Sequence, residues 1–472
     1  MTDAVLISLP VGIPWLFAAL LALLDGRKRW VGALAAVGLG LGLVFLTILA
    51  AVVLRSGPVE MTGGGWPLDV GITLRADALG VTFALASWII IFVALLFELA
   101  LGVHWRAFPA LTLFIAAGLT GLFLTSDTFN FYVFFEIAMT AAFILTGYRE
   151  TDDQVRGAFV FAVVNLIGSV LFLSGVAALY SVTGSLDMMV IAERVGLLEP
   201  RSVIAIAAII FAAFCLKLGL FPFHFWLPTV YVGSHAPVAA ILSGALANIG
   251  AYGLLRFGGD ILPREFGFGA PVIIVMGAAS VLYGSLQAVS RRDASEVLAY
   301  SAIGQAGYVL IALGIGGPAG YAAAILYAVL NALTKGVMFL ATGMRGKVAG
   351  MAFAVGAFSV CGVPPLAGFL GKFAIFQATT TLPSLAVTLA LVVLVFVGSA
   401  LSFLYSFQVY QRRFLKPAED SSAEALPPRP PLLTRAVVVV LALLLIGLGL
   451  WPEPLIALSQ AAAEVLSAGS VP

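Results

Sequence analysis

Phe214-Cys-Leu-Lys-Leu-Gly-Leu-Phe-Pro-Phe-His-Phe-Trp-Leu-Pro228 sets a lysine, Lys217, inside an apolar run and follows it with Pro222, His224 and a second proline. A lysine at bilayer depth costs about 2.5–3.5 kcal/mol on insertion scales, so it must face protein or water and commonly marks an ion path. Pro222 removes a helical hydrogen bond and clashes with the preceding turn, so a helix is predicted to break there. Carbonyls freed at that depth are tolerated only where they line a buried or wet cavity. Charge and break together predict a hydrated site inside a helical bundle. The plainer alternative is a lysine near a helix end, snorkelling to the interface. The long apolar run before Lys217, and the absence of another strong charge until Arg256, argue against it.

Composition agrees. Of 472 residues 62% are hydrophobic and 10% charged, against about 25% charged in ordinary soluble proteins. The fold class expected is an all-α polytopic membrane protein. A net charge of +1 without basic runs gives no sign of nucleic-acid binding. Cys215 and Cys361 lie in apolar segments outside any CxxC pair, and the three histidines are scattered. No metal site or cofactor is therefore expected, and any redox chemistry belongs to a partner. No Ser/His, paired-aspartate or HExxH arrangement suggests an intramembrane enzyme.

Apolar windows of about twenty residues fall near 5–24, 31–54, 78–101, 107–125, 129–148, 157–180, 202–228, 236–257, 269–289, 297–315, 318–344, 352–380, 384–411 and 433–451. That is about fourteen transmembrane helices, the seventh and twelfth broken. Val5–Leu24 lacks the flanks of a removed signal peptide and reads as the first span. Most of the 24 lysines and arginines fall in one set of loops when the N-terminus is placed outside, so the positive-inside rule puts both termini outside a plasma (cell inner) membrane. Two loops are long: the acidic, glycine-rich 55–77, with Glu60, Asp69 and Asp77, and the proline-rich 416–431. Arg256 is tallied at an outer helix end, and Glu98 and His235 as interfacial groups.

A repeat lies within the chain. Ala162-Val-Val-Asn-Leu-Ile-Gly-Ser169 aligns with Ala328-Val-Leu-Asn-Ala-Leu-Thr-Lys335, and a broken helix follows each, with Cys215 and Lys217 at one break and Cys361 and Lys372 at the other. Five helices per unit make the repeats inverted, and paired discontinuous helices in inverted repeats point to a transporter's ion site. The expected division is a three-helix segment over 1–106, five-helix repeats over 107–257 and 258–411, and an inner loop with the last helix over 412–472.

Glu136, Lys217, Lys335 and Lys372 are the ionisable residues deepest in apolar sequence. A carboxylate beside a buried lysine restores the charged form of both, so a Glu136–Lys217 pair makes either a proton switch or a static ion pair between helices. Asn331 shares a helix face with Lys335 one turn away. His224 reads equally as a relay or a cavity-wall group. Asn248, and likewise Asn165, either holds water or bonds a neighbouring helix.

The segments Lys217–Pro228, Ala236–Gly244, Phe134-Phe-Glu136, Leu298–Tyr308, Asn331-Ala-Leu-Thr-Lys335 and Gly362–Phe373 resemble the antiporter-like subunits of Mrp sodium/proton antiporters, complex I and membrane-bound hydrogenases. Lys372 and the phrase Phe-Pro-Phe-His-Phe-Trp-Leu-Pro favour the D-type branch of the Mrp subunits. The resemblance implies Glu136 and Lys217 as a coupling pair, Lys335 as relay and Lys372 as terminal site of a proton path. It also implies other membrane subunits as partners, with protons as the ions moved and Na+ as the candidate exchanged cation. Redox-driven pumping in a complex I-like or hydrogenase assembly, and a transport-inactive scaffold, are the competing readings. Two departures matter: Asn248 stands where the family usually has a lysine, and Asn331 where it commonly has a histidine. Asparagine orients water but takes no proton at physiological pH.

Overall fold

The computed structural model describes residues 3–66, 71–415 and 430–468. Asp69 and most of the 416–431 loop lie outside them. The helices are α1 (Asp3–Ala22), α2 (Arg29–Ser56), then, after the hairpin β1 (Val59–Thr62) and β2 (Thr73–Ala76), α3 (Ala78–Leu101), α4 (Phe108–Leu124), α5 (Thr128–Thr146) and α6 (Asp152–Thr183). The surface helix α7 (Met188–Gly196) leads into α8 (Pro200–Leu218), α9 (Leu227–Gly233), α10 (Ala236–Ile261), α11 (Pro263–Ser290), α12 (Ala294–Ile315) and α13 (Gly317–Thr342). The chain continues through α14 (Lys347–Cys361), α15 (Ala367–Thr379), α16 (Leu385–Leu415), α17 (Leu432–Leu450) and α18 (Glu453–Ala468). Among the described residues 12 helices are long and apolar enough to cross a membrane, and the shorter apolar α4 and α14 complete the expected set.

The two breaks are built alike. Gly219 ends α8 in the left-handed region (φ 69°), and the N–H groups of Gly219 and Leu220 return to the carbonyls of Leu216 and Cys215. Gly362 ends α14 the same way (φ 78°), with Gly362 and Val363 returning to Ser359 and Phe358. This double cap satisfies carbonyls that an apolar setting cannot leave bare. Each break also carries a cis X–Pro bond, at Pro222 and Pro365. Matching the caps pairs Gly219 with Gly362 and Pro222 with Pro365, which sets Lys217 opposite Val360. The cysteines are thus not equivalent, contrary to the sequence alignment: the glycine cap and proline fix the break, and a buried thiol has no part in it.

Loops at one face join Gly26 to Arg106 (2.9 Å), Arg412 to the Arg291 carbonyl (3.0 Å) and Arg413 to the Thr342 carbonyl (2.8 Å). This is the basic face. The opposite face gathers Ser8 against Met61, the hairpin against the α4–α5 connection (Ser126 N–H to the Thr73 carbonyl, 2.9 Å), and Gly259 against Leu466, so α1 and α18 reach the same face. Here Arg256 is buried, bonded to Asp77 (2.6 Å), Asp260 (2.9 Å) and the Tyr252 hydroxyl (3.1 Å). The sequence places it at an outer helix end, and there three acceptors make its burial tolerable. Helix α18 is not foreseen either. Its small residues Ala462 and Ala463, with Leu455 and Leu466, pack into the bundle against α3 and α13, and alanine-rich sequence carries little hydropathy signal.

Candidate functional site

Lys217 occupies the last turn of α8 and reaches toward α6. Its Nζ donates to the Asn165 carbonyl (2.9 Å), to Asn165 Oδ1 and to Ser169 Oγ (3.4 Å), and lies 3.9 Å from the centre of the Phe135 ring. Room for the stem comes from Gly168, where a Cβ would stand 2.6 Å from Lys217 Cε. Glu136 enters from α5, and its Oε1 accepts from Ser169 Oγ. The sequence suggests a Glu136–Lys217 pair; among the described residues the two form no direct ion pair, and Ser169 of α6 joins them. A cavity of ≈ 20 Å³ then separates Lys217 from Leu246, Ala247 and Ile249 of α10. That is space for about one water.

Asn248 follows a π-helical turn, Leu242–Leu246, within α10. Such turns shift the hydrogen-bond register and leave carbonyls for side chains. Asn248 Nδ2 uses one, the Gly244 carbonyl (3.2 Å), and also donates to Ser87 Oγ on α3 (3.0 Å). Gly244 lies against the Ala332 carbonyl of α13, where a Cβ would approach to 2.8 Å. Asn331, next to it, has a buried Oδ1 without a hydrogen-bond partner.

Among the described residues no carboxylate pairs with Lys335 or Lys372. Lys335 Nζ donates to Ser301 Oγ (2.6 Å) and the Leu298 carbonyl (3.3 Å). Ser301 pairs with the Tyr405 hydroxyl (2.6 Å), which Gln305 Nε2 (3.2 Å) and Ser402 Oγ (3.1 Å) also meet; Tyr327 donates to Gln305 Oε1. Lys372 Nζ donates to Ser399 Oγ (2.8 Å) and the Cys361 carbonyl (3.3 Å), its stem passing Gly362, where a Cβ would stand 2.9 Å from Cδ.

The structure therefore gathers Glu136 with Lys217, and Lys335 with a hydroxyl chain that runs toward Lys372. His224 remains apart, against the rings of Phe221 (5.5 Å) and Tyr283 (4.4 Å). Ser169, Ser301, Gln305, Tyr327, Ser399, Ser402 and Tyr405 are functional candidates that sequence reasoning missed. Their signal was present as polar residues one turn apart in apolar helices: Asn165 with Ser169, Ser301 with Gln305, and Ser402 near Tyr405.

A separate cluster lies at the basic face. Glu98 is fully buried, its Oε1 accepting from the Tyr148 hydroxyl (3.3 Å) beside His104 Nδ1 (3.6 Å), and His235 Nδ1 stands 3.8 Å from Oε2. Both lie at the basic face but are largely buried rather than exposed there, because α10 begins beneath the α3 end. Burial, then the neighbouring Arg149 and His104, hold His235 down to about 3. A vestibule of ≈ 420 Å³ lined by Asp153, His235, Asp293 and Arg413 opens above it.

Residues 125–348 match the family model described as NADH:quinone oxidoreductase/Mrp antiporter, TM. The D-type subunit of the Na(+)/H(+) antiporter of Alkalihalophilus pseudofirmus is 32% identical over 462 residues, covering 92% of this chain and 93% of that one. A chain of the Mrp complex from a Dietzia species superposes with a TM-score of 0.89 at 25% identity, over 99% of this chain and 98% of that one. A chain of a membrane-bound sulfane sulfur reductase, an archaeal respiratory membrane complex, superposes with a TM-score of 0.86 at 25% identity and the same coverage.

Proposed function

The chain belongs to the NADH:quinone oxidoreductase/Mrp antiporter transmembrane family, and from that premise we propose that it is the proton-translocating subunit of a multisubunit sodium/proton antiporter. Protons move along Glu136, Lys217, Lys335 and Lys372, with water bridging the asparagine-lined centre. The observation that carries this reading is the Ser169 bridge, one hydroxyl touching the carboxylate and the ammonium at once. Such a hydroxyl both accepts and donates, so it lets the charge of one group answer to the other without locking them into an ion pair. The units proposed are those of the sequence division: 1–106, 107–257, 258–411 and 412–472. The basic face is proposed to lie inside, by the positive-inside rule.

A partner is supported by the outer surface of α5. Phe129, Val133, Thr140 and Ile144 form one exposed stripe, and partly exposed Glu136 sits in its middle. Leaving a carboxylate against hydrocarbon is expensive, so a neighbouring membrane subunit is proposed to cover this stripe. The likeness to a chain of a respiratory reductase complex favours a second reading, in which the same path is driven by a redox partner. Purification of the native complex separates the two: small membrane subunits alone support the antiporter, iron–sulfur subunits the second reading. The path itself is tested in proteoliposomes, where Lys217→Ala and Glu136→Gln must impair proton flux; wild-type flux in both overturns it.

A further inference from the structure

The polar chain of the second half is nearly continuous, and one buried group stands at its gap. From Lys335 it runs through Ser301, Tyr405 and Ser402 to α16, where Ser402 Oγ donates to the Gly398 carbonyl (2.7 Å). From the other side Lys372 reaches Ser399, the residue after Gly398. The hydroxyl of Tyr308 rests on Gly398 itself, where a Cβ would overlap it. That hydroxyl is buried and has no hydrogen-bond partner. A buried hydroxyl left unsatisfied forfeits its hydration without return, and nothing in the packing asks for the oxygen. The ring is already held, 5.2 Å from the Tyr327 ring and with the Lys372 ammonium 5.2 Å from its own centre.

We propose that the Tyr308 hydroxyl is the link that passes protons between Ser402, at the end of the Lys335 chain, and Ser399, beside Lys372. The inference rests on the proton path proposed above and adds to it the member that joins its last two lysines. The transfer balances by hydroxyl rotation. Lys335 gives a proton to Ser301, and Ser301, Tyr405, Ser402, Tyr308 and Ser399 each accept one proton and release their own. Neutral Lys372 takes the last, so one unit of charge moves from Lys335 to Lys372 and every hydroxyl ends as it began. The circuit closes only when the Tyr308 side chain brings its hydroxyl within hydrogen-bond reach of Ser402 and Ser399; Ser402 then turns its hydrogen from the Gly398 carbonyl to Tyr308 and Tyr308 turns its own to Ser399. Among the described residues Tyr308 is unbonded in this structure, so the structure corresponds to the open state of the link.

The test uses the whole complex in proteoliposomes, with proton flux read by a pH-sensitive dye in H2O and D2O and stability read by thermal melting. Tyr308→Phe deletes only the unpartnered oxygen. The melting temperature should hold or rise, because an unsatisfied buried group is removed, while flux falls at least about tenfold, the effect of roughly 1.4 kcal/mol on a barrier. Residual flux should show a changed solvent isotope effect, which a purely structural loss would not produce. Gly398→Ala, which displaces the hydroxyl from its seat, should also cut flux, and Tyr308→Phe in that background should cause little further loss. Wild-type flux in Tyr308→Phe, or a complex that no longer assembles, overturns the proposal. If Lys372→Ala stops transport while Tyr308→Phe is silent, only this link fails. If Lys372→Ala is silent as well, the proton path fails with it.

Discussion

The two broken-helix regions share a backbone and differ in chemistry. At the first, Lys217 has a carboxylate two hydrogen bonds away, through Ser169. At the second, Lys335 and Lys372 rest on hydroxyls and carbonyls alone. Both have the double glycine cap and proline, and both thread a lysine stem past a glycine. The cap-and-break frame thus positions an ammonium group, and the lining decides how its charge is met. On the proposed path, a carboxylate would let the first region retain a proton until its partner moves. A chain of hydroxyls would let the second hand it on.

That contrast is most easily broken at Lys217. Lys217→Ala should reduce proton flux by the assembled complex to background while leaving assembly intact, since the lost group is polar and the surrounding helices keep their packing; dye-quench assays with a subunit pull-down check both. In the second region Ser301→Ala removes the closest partner of Lys335. Losing a hydrogen bond to a charged group costs about 1.5–3 kcal/mol, so flux should fall at least about tenfold. Equal flux there would make the hydroxyl chain a packing device and the contrast empty. Ser169→Ala should be milder, a several-fold loss, because Asn165 still holds the ammonium when the bridge to Glu136 is gone. A loss as complete as that of Lys217→Ala would show that the bridge, not the lysine, is the active element.

The smallest effect belongs outside both regions. His235, held down to about 3 chiefly by burial, is neutral across the working range. His235→Gln should leave the pH profile of flux unchanged between about pH 6 and 9. In stability the sign is definite: a histidine lowered in the folded state leaves full stability above its ordinary value near 6.5, lost as pH falls. Melting curves of the wild type should therefore drop below about pH 6.5 more steeply than those of the variant. A shifted flux profile would bring the Glu98 cluster into the transport path.

Much of this frame is legible in the amino-acid order. Pro222 after Lys217 announced a break, and Gly362-Val-Pro-Pro365 repeated it, because proline and left-handed glycine act locally. The spans followed from hydropathy. The partners of each charge did not, because a serine in an apolar helix reads alike whether it bonds its own backbone or a lysine of another helix. Thr112, bonded to the Phe108 carbonyl in its own helix, and Ser301, bonded to Lys335, look the same in sequence. Long-range burial was invisible for the same reason. Glu98 sits near a helix end, and only the packing of α10 shows that the end is covered. The asparagine departures proved easier to place than to interpret: Asn248 is bonded to Ser87, whereas Asn331 has an oxygen left over. Asn248→Leu in the flux assay bears on this directly, since wild-type flux there favours a scaffold over a proton path through the centre.

The stripe on α5 with Glu136 in its middle also bears on biogenesis. A newly inserted copy with no neighbour must hold a carboxylate against lipid or draw water to it, at a cost of about 2–4 kcal/mol. This is a sizeable part of the stability of a typical folded domain. If the proposed neighbour covers this stripe, the orphan chain is the less stable form, and docking removes that cost. Membrane proteases and chaperones that sample exposed polar groups in the bilayer would find the copy made in excess and spare the one already assembled. On that proposal the same carboxylate would serve the proton path and mark the copy that lacks its neighbour.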